Sequence, residues 1–209
     1  MTVDIAAAVQ EAGTVAKGRA ADLPGIAAAL GWAFEDDPAA AWVVPDDAKR
    51  RALLERAFLL FLERIWFAQD ECYTTANAVG AAVWELPDQW KLGVGAQLRL
   101  LPRLAWTYRR HTPRLAQAIN ALESEHPQEP HYYLPFVGVV PDWQGRGIGA
   151  ALLRPVLDRC DAERMPAYLE ASSPRNRSLY ERHGFAVTQE FRLGKGSPPL
   201  WRMWREPRT

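Results

Sequence analysis

The fold of this chain is decided by residues 132–151, which read YYLPFVGVVPDWQGRGIGAA. The stretch opens with an apolar run, residues 132–140, of the kind that forms a buried strand. Pro135 and Gly138 lie inside that run and weaken strand pairing, so we expect a strand that is irregular or splayed from a neighbour. A glycine-rich loop follows, and apolar residues at helical spacing come after it. The stretch therefore predicts a strand, a loop and a helix in direct succession.

The loop carries three closely spaced glycines. Such glycines let backbone N–H groups converge on an anion at the positive end of the following helix. The spacing makes the loop a candidate pyrophosphate-binding site, although an ordinary glycine-rich connection would look the same. The candidate residues are Gln144, Gly145, Arg146, Gly147, Ile148, Gly149 and Ala150.

Two other phosphate-binding loops fit less well. A P-loop requires Gly-Lys-Ser/Thr at its end, where this chain reads GAA at 149–151, so nucleoside triphosphate hydrolysis is excluded as the leading hypothesis. A dinucleotide-binding loop is closer, because Gly145, Gly147 and Ala150 match its spacing and Glu170 follows about twenty residues later. Only 39 residues remain after Glu170, too few for the further strand and helix units that such a fold needs.

Apolar spacing predicts further elements on both sides of this stretch. Downstream we expect a helix at 147–162, a strand at 167–171, a helix from Ser173-Pro174 through 182, and a closing hairpin of 185–193 with 200–204. Upstream we expect helices after Asp22 and from 48 to about 67, then a hairpin of 72–75 with 78–86. About forty helical residues, broken at Pro102 and Pro113, and a loop at 124–130 complete the chain.

Composition excludes several classes of protein. The 209 residues include 25 Lys plus Arg and 25 Asp plus Glu, so no overall field attracts nucleic acid or an anionic membrane. No apolar run reaches the roughly 18 residues that span a bilayer. Cys72 and Cys160 are far apart and lack Cys or His partners, so neither a disulfide nor a metal site is expected. We therefore expect a cytoplasmic single-domain protein without a metal, a membrane or a nucleic-acid partner.

Two motifs in this part of the chain resemble those of a known family. The acetyl-CoA motif Gln/Arg-x-x-Gly-x-Gly/Ala of the GNAT superfamily of N-acetyltransferases is met by Gln144, Gly147 and Gly149. The family's second pattern, Asn-x-x-x-Tyr, is met by Asn176 and Tyr180, and Gly-Phe follows at the usual distance. Because both motifs occur in the right order, the chain resembles this superfamily.

Within the superfamily, the chain most resembles the puromycin N-acetyltransferases and their bacterial relatives. The resemblance lies in PHYYL at 130–134, VGV at 137–139, LEAS at 169–172 and PRN at 174–176. It covers the last eighty residues and weakens upstream, so it does not carry acceptor specificity with it.

The resemblance implies a mixed α/β fold in which helices flank a twisted central sheet. Acetyl-CoA, used as a co-substrate, would lie in a V between two splayed strands, here 132–140 and 167–171. Backbone groups of Val137 and Val139 would pair with the pantetheine arm, and the loop amides would hold the pyrophosphate. The single domain, 1–209, would divide into an acceptor side at about 14–130, an acetyl-CoA-binding core at 131–193 and a C-terminal hairpin strand at 194–209.

The resemblance also implies an enzyme that moves an acetyl group from acetyl-CoA to a primary amine of a small molecule by direct attack. Tyr180 would be the general acid that protonates the sulfur, with Asn176 on the same helix face binding the cofactor. The N–H of Val139 would bond the thioester oxygen. Glu170 and His131 are both candidates for the general base, and a base acting through water remains open.

The acceptor is left open by the sequence. The resemblance puts the acidic turn at 35–37 near the substrate mouth, where its carboxylates would favour a cationic amine, although a solvated turn would read the same. Some of the nine tryptophans would line a pocket for an aromatic amine. Puromycin-like aminonucleosides, other small amines and peptide amines are all candidates, as is transfer of a longer acyl group. A non-catalytic module that binds or senses CoA is the rival hypothesis. Both a monomer and a homodimer are compatible with the sequence.

Overall fold

The computed structural model describes residues 14–208, apart from the side chain of Val94. The ends of the expected single domain, residues 1–13 and Thr209, lie outside the described residues. The strands are β1 (Val15–Lys17), β2 (Cys72–Thr75), β3 (Gly80–Glu85), β4 (Tyr132–Val139), β5 (Ala167–Ala171), β6 (Ala186–Arg192) and β7 (Pro199–Arg205).

These strands form one sheet in the order β1-β2-β3-β4-β5-β7-β6. Neighbours run antiparallel except for β4 and β5, which run parallel and are joined through a helix. The sheet is mixed and mostly antiparallel, as the predicted fold class requires.

Helices cover both faces of the sheet. They are α1 (Leu23–Ala33), α2 (Pro38–Val43), α3 (Asp47–Arg64), α4 (Val94–Tyr108), α5 (Thr112–Glu125), α6 (Ile148–Glu163) and α7 (Pro174–Arg182). Side chains of β3 point alternately to the two faces of the sheet. Ala82 and Trp84 pack in the core under α6, whereas Ala81 and Val83 pack in the core under α1 and α3. None of the helices in residues 14–208 is long and apolar enough to cross a membrane.

Strands β4 and β5 separate after two pairs of residues. Tyr132 pairs with Ala167 and Tyr133 with Tyr168, and the described residues show no pairing between the two strands beyond that point. On its other edge, β4 advances from Tyr133 to Phe136 while β3 advances only from Glu85 to Val83, so β4 contains one extra residue there. Such a bulge bends a strand, and proline, which lacks an N–H, is tolerated within it. The V-shaped gap that we expected between β4 and β5 is therefore present.

Gly138 is required by the close approach of α1, whereas the sequence suggested a strand irregularity. An added Cβ atom would lie 2.6 Å from the Cβ atom of Ala33 and 3.3 Å from Cδ2 of Leu30. We expect Gly138→Ala to lower the free energy of unfolding by about 1–3 kcal/mol, the usual cost of overpacking a core, as measured by urea denaturation.

Gly95→Ala provides the control for this prediction. A Cβ atom at Gly95 in α4 meets nothing within 4 Å, so this substitution should leave the free energy of unfolding unchanged or raise it. Equal losses of stability in the two variants would contradict the explanation by close approach.

Four local expectations were wrong or incomplete. Pro102 lies inside α4, on its exposed side, where water can satisfy the carbonyl that loses its partner. Pro113 does not break a helix but lies in the first turn of α5, where a backbone N–H has no helical partner anyway. The acidic turn caps α2 through Asp37, whose carboxylate accepts from the N–H groups of Ala39 and Ala40. The three-residue strand β1 was not predicted, because so short a segment carries no periodicity.

Candidate active site

The peptide groups of Val137 and Val139 face the gap between β4 and β5. The N–H of Val140 donates to the carbonyl of Val79 at 2.9 Å, so the peptide groups of Val140 point toward β3. Because consecutive residues of a strand point in opposite directions, those of Val139 and Val137 point into the gap. Nε2 of Gln144 donates to the carbonyl of Val139 at 2.9 Å and ties the loop to the strand end. An extended chain lying in the gap could therefore pair with β4.

The glycine loop has a backbone conformation that requires glycine, and there is open space beside Gly145. Gly145 and Gly147 have positive φ angles of 77° and 82°, a conformation that other residues rarely adopt. A Cβ atom at Gly145 would meet nothing within 4 Å, and Gly147 immediately precedes α6. The loop thus opens onto the N-terminus of a sixteen-residue helix, where anions are stabilised.

The other loop residues differ in how much of each is exposed to a ligand. Ile148 is 2% exposed and packs in the core, so only its backbone is available to a ligand. Gly149 and Ala150 lie half-buried in the first turn of α6. The guanidinium of Arg146 lies 4.9 Å from the ring centroid of Trp143 at the edge of the loop.

Tyr180 and Asn176 lie one helical turn apart on α7 and line the same cavity. Ser173 caps the helix by accepting from the N–H of Asn176, which fixes how α7 starts. Tyr180 is 7% exposed and its ring packs edge-on against Phe185. Among residues 14–208 its hydroxyl makes no hydrogen bond, in contrast to a core tyrosine that is bonded locally. Burial, followed by the charge of Asp37, raises the pKa of Tyr180, so the phenol stays protonated at neutral pH.

The cavity has a volume of about 490 Å³ and lies between the sheet and α2, α3, α4 and α5. Its walls are mostly aliphatic and aromatic side chains. Val137 and Tyr180 line it together with residues of α4 and α5, so it is continuous with the gap between the splayed strands. Asp37, from the acidic turn, also lines it and accepts a hydrogen bond from Oγ of Ser172. Asp37 is 8% exposed and burial raises its pKa, so this carboxyl is not a solvated turn residue.

Glu170 lines the cavity on β5. Its Oε2 accepts from the hydroxyl of Tyr133 at 2.9 Å, while Oε1 is buried and has no hydrogen-bond partner among the described residues. Burial raises the pKa of Glu170 to about 7, and the hydroxyls of Tyr168 and Tyr133 and the charge of Arg202 oppose the shift. A carboxyl with this pKa is half ionised at neutral pH, which suits proton transfer.

Glu85 is a second carboxyl in the same place. It ends β3 directly opposite Tyr133, and its Oε1 accepts from Nε1 of Trp66 at 2.8 Å. Its Oε2 is buried without a hydrogen-bond partner in the described part of the chain. Burial raises the pKa of Glu85 to about 8, against the hydrogen bond from Trp66 and with a further contribution from the charge of Glu170.

His131 lies in a different environment from these carboxyls. It is 2% exposed, its Nδ1 contacts the carbonyl of Glu129 at 2.6 Å, and its Nε2 lies 3.0 Å from Nε2 of His126. Burial lowers the pKa of His131, and burial followed by the charge of His131 lowers the pKa of His126 to about 3. Both ring nitrogens of His131 are therefore engaged, and His126 stands between it and the cavity, which His126 lines.

Sequence reasoning missed Glu85, Tyr133 and the position of Asp37. The signal for Glu85 was present, because a carboxylate closing the apolar run GAAVWEL at 80–86 is unusual in a strand with two buried faces. Tyr133 carried no such signal, since tyrosine is common in strands.

Two comparisons of the sequence with known proteins found matches to part of the chain. The model of the acetyltransferase (GNAT) family matches residues 106–185 of this chain. A segment of 80 residues is 41% identical to an uncharacterized N-acetyltransferase of Schizosaccharomyces pombe, and the match covers 37% of this chain and 32% of that protein. The chain thus spans about a third of the length of this curated relative.

Solved structures extend the similarity over nearly the whole chain. A Corynebacterium glutamicum structure described as histone acetyltransferase HPA2 and related acetyltransferase is 28% identical, with a TM-score of 0.72 over 95% of this chain and 98% of that chain. A Drosophila melanogaster polyamine N-acetyltransferase, which forms N-acetylagmatine, has a TM-score of 0.61 at 14% identity over 92% of this chain and 99% of that chain. The second likeness shows the fold alone.

Proposed function

We propose that this chain, whose residues 106–185 match the model of the acetyltransferase (GNAT) family, is a member of that family and transfers an acetyl group from acetyl-CoA to a primary amine of a small molecule. One observation carries the proposal: Val137, beside the gap between β4 and β5, lines a mostly apolar cavity together with Tyr180 and Glu170. A donor lying in the gap and an amine lying in the cavity would meet beside these two side chains.

The described residues fit acetyl-CoA. Val137 and Val139 offer peptide groups to an extended pantetheine arm, and the amides of 145–150 offer an anion site with open space in front of Gly145. Asn176 lies one turn from Tyr180 and is placed to bond the arm. When bound, acetyl-CoA supplies the thioester carbon that the amine attacks.

Proton transfer by this chain would proceed through two residues. The carboxylate of Glu170 takes a proton from the acceptor ammonium, which leaves a neutral amine to attack. The N–H of Val139 bonds the thioester oxygen as charge develops on it. As the C–S bond breaks, Tyr180 gives its phenolic proton to the departing thiolate and regains one from the nitrogen of the new amide. His131 is a weaker candidate for the base, because its ring nitrogens are engaged elsewhere.

Direct attack is supported by the cysteines. Cys72 and Cys160 are buried away from the cavity, and burial raises the pKa of each thiol to about 12. A thiol that stays protonated at neutral pH is a poor nucleophile, so an acyl-enzyme on either residue is disfavoured.

Release of CoA thiol from acetyl-CoA tests the proposal, with a panel of small amines that includes puromycin. Binding of acetyl-CoA is measured alongside by calorimetry. Amine-dependent thiol release supports the enzyme, whereas binding without release by any amine would favour the non-catalytic CoA-binding module, or an acceptor such as a peptide amine. Failure to bind acetyl-CoA would overturn the assignment.

The glycine loop allows a matched test of the cofactor site. Gly145 and Gly196 both have positive φ, 77° and 76°, and a Cβ atom at either would meet nothing within 4 Å. Substitution by alanine therefore imposes the same backbone strain, about 1–2 kcal/mol, at both. We expect Gly145→Ala to weaken acetyl-CoA binding about tenfold and Gly196→Ala, in the β6–β7 hairpin, to leave it unchanged. Equal affinities in the two variants would argue against the loop as the pyrophosphate site.

A further inference from the structure

The walls of the cavity are hydrocarbon over most of their area. Its 490 Å³ falls in the range of pockets that enclose small molecules. The apolar lining comes from α3, α4, α5 and β4, and includes Phe58, Phe61, Leu100, Leu104, Leu115 and Phe136. A ligand that fills this volume buries its body against aliphatic and aromatic side chains.

Four carboxyl side chains of residues 14–208 line the cavity. They are Asp37, Glu85, Glu123 and Glu170, and no Lys or Arg side chain lines the cavity within residues 14–208. Glu123 lies exposed at the rim, and Asp37 is already held by Ser172 and two backbone N–H groups. The acidic groups that remain available inside are Glu85 and Glu170.

Tyr133 joins these two carboxyls into one cluster. It pairs with Glu85 across β3 and β4, and its hydroxyl donates to Glu170. Oε2 of Glu85 is buried without a hydrogen-bond partner in the described residues. Oε1 of Glu170 makes no hydrogen bond of normal geometry there either, although the hydroxyl of Tyr168 lies beside this carboxyl. Arg202, the cation behind them, has its guanidinium 6.0 Å from the ring centroid of Tyr168 and does not line the cavity. A buried polar atom without a partner is costly, so the cluster favours a ligand that donates hydrogen bonds to it.

We infer that the acceptor is a hydrophobic monoamine, whose ammonium group binds between Glu85 and Glu170 while its alkyl or aryl body fills the apolar volume. The inference rests on the proposed function and assigns Glu85, a residue without a role in the acetyl-CoA motifs, as a determinant of acceptor specificity. A polyamine is disfavoured, because its further charges would meet hydrocarbon walls.

Three ligands of nearly equal length test this inference. Hexylamine carries both the charge and the apolar body, 2-(2-aminoethoxy)ethanol carries the charge on a polar body, and hexan-1-ol carries the body without the charge. Affinities are measured by calorimetry on the whole chain, and kcat/KM for thiol release is measured for both amines and for spermidine at saturating acetyl-CoA. We expect the affinity for hexylamine to be about 100-fold higher than that for the polar amine and about tenfold higher than that for hexan-1-ol. These ratios follow from the transfer free energies of the groups exchanged. Spermidine should have a kcat/KM at least tenfold lower than hexylamine.

Substitution at Glu85 then tests its assigned role. Glu85→Gln keeps an acceptor for Trp66. At pH 9, above the pKa of about 8 at which Glu85 ionises, we expect it to raise KM for hexylamine about tenfold while KM for acetyl-CoA and affinity for hexan-1-ol stay unchanged. Glu85→Asp, which keeps the charge, should restore part of the loss. Glu55→Gln removes the same charge from the outer face of α3 and should change none of these quantities.

The outcomes separate this inference from the proposed function. If the polar amine or spermidine is preferred, or if Glu85→Gln leaves KM for hexylamine unchanged, the inference is overturned while the acetyltransferase stands. If hexylamine binds with the expected preference but no amine releases thiol, the binding inference stands and the proposed function fails.

Discussion

Tyr180→Phe is expected to lower kcat for amine-dependent thiol release by about 100-fold or more, the usual contribution of a positioned general acid. The substitution removes the proton that the departing thiolate requires and leaves the ring in place against Phe185. Because the hydroxyl has no hydrogen-bond partner among residues 14–208, its loss leaves no buried polar group unpaired. The fold should therefore be retained, with Tm and the affinity for acetyl-CoA unchanged.

Tyr132→Phe is the matched control for this experiment. Tyr132 is also a buried tyrosine, but it lies outside the cavity and its hydroxyl donates to Glu163 at 2.8 Å. Its replacement should leave kcat unchanged. Full activity in Tyr180→Phe, or equal losses in both variants, would show that Tyr180 is not the proton donor. The comparison is made at saturating acetyl-CoA and amine, so that only steps after binding contribute.

The parts of the site formed by consecutive residues were predicted from the sequence. The strand at 132–140, the glycine loop and the helix after it are local features, each with its own spacing, and the structure contains all three. Pro135 correctly indicated a strand that departs from its neighbour, because a missing N–H acts at its own position. Gly138 indicated a special backbone position, but the reason was contact with Ala33, more than a hundred residues away in sequence. Sequence spacing carries no information about such a contact.

The acceptor side of the site depends on tertiary packing, so most of it could not be predicted from the sequence. The cavity exists because α4 and α5 stand off from the sheet, and only the pairing of the strands brings Glu85 beside Tyr133 and Glu170. The environment of His131 also depends on packing, since a histidine in a polar loop is usually exposed and here the ring is buried against His126. Helix α2 was missed because Asp37 and Pro38 read equally well as a turn and as a cap followed by a first turn.

Glu170→Gln is expected to lower kcat/KM for hexylamine by about 100-fold at pH 8 and to remove most of its dependence on pH. In the wild type, burial raises the pKa of Glu170 from its usual 4.5 to about 7, so the carboxylate that accepts a proton is present only above that value. Activity should therefore rise about tenfold per pH unit below pH 7 and level off above it. Alkylammonium ions stay protonated throughout this range, so the ionisation observed belongs to the enzyme.

Glu163→Gln provides the control for this pH profile. Glu163 also accepts from a tyrosine of β4, but it is exposed on the other side of the sheet, so its replacement should leave the profile unchanged. Glu85 and Glu170 interact, so the apparent pKa belongs to the pair. A profile that keeps its slope in Glu170→Gln and loses it in Glu85→Gln would assign the base to Glu85.

The burial of Glu170 also predicts how the stability of the protein changes with pH, and this can be tested without measuring activity. Between its usual pKa of 4.5 and about 7, Glu170 holds a proton in the folded protein that the unfolded chain has released. The free energy of unfolding must therefore fall as pH rises through this window, because the folded state binds more protons. Glu170→Gln has no proton to lose, so urea denaturation should show its stability gaining on that of the wild type from pH 5 to pH 7.5. A difference that stays constant over this range would mean that Glu170 is already ionised in the folded protein, and it would then lack the pKa that a base acting near neutral pH requires.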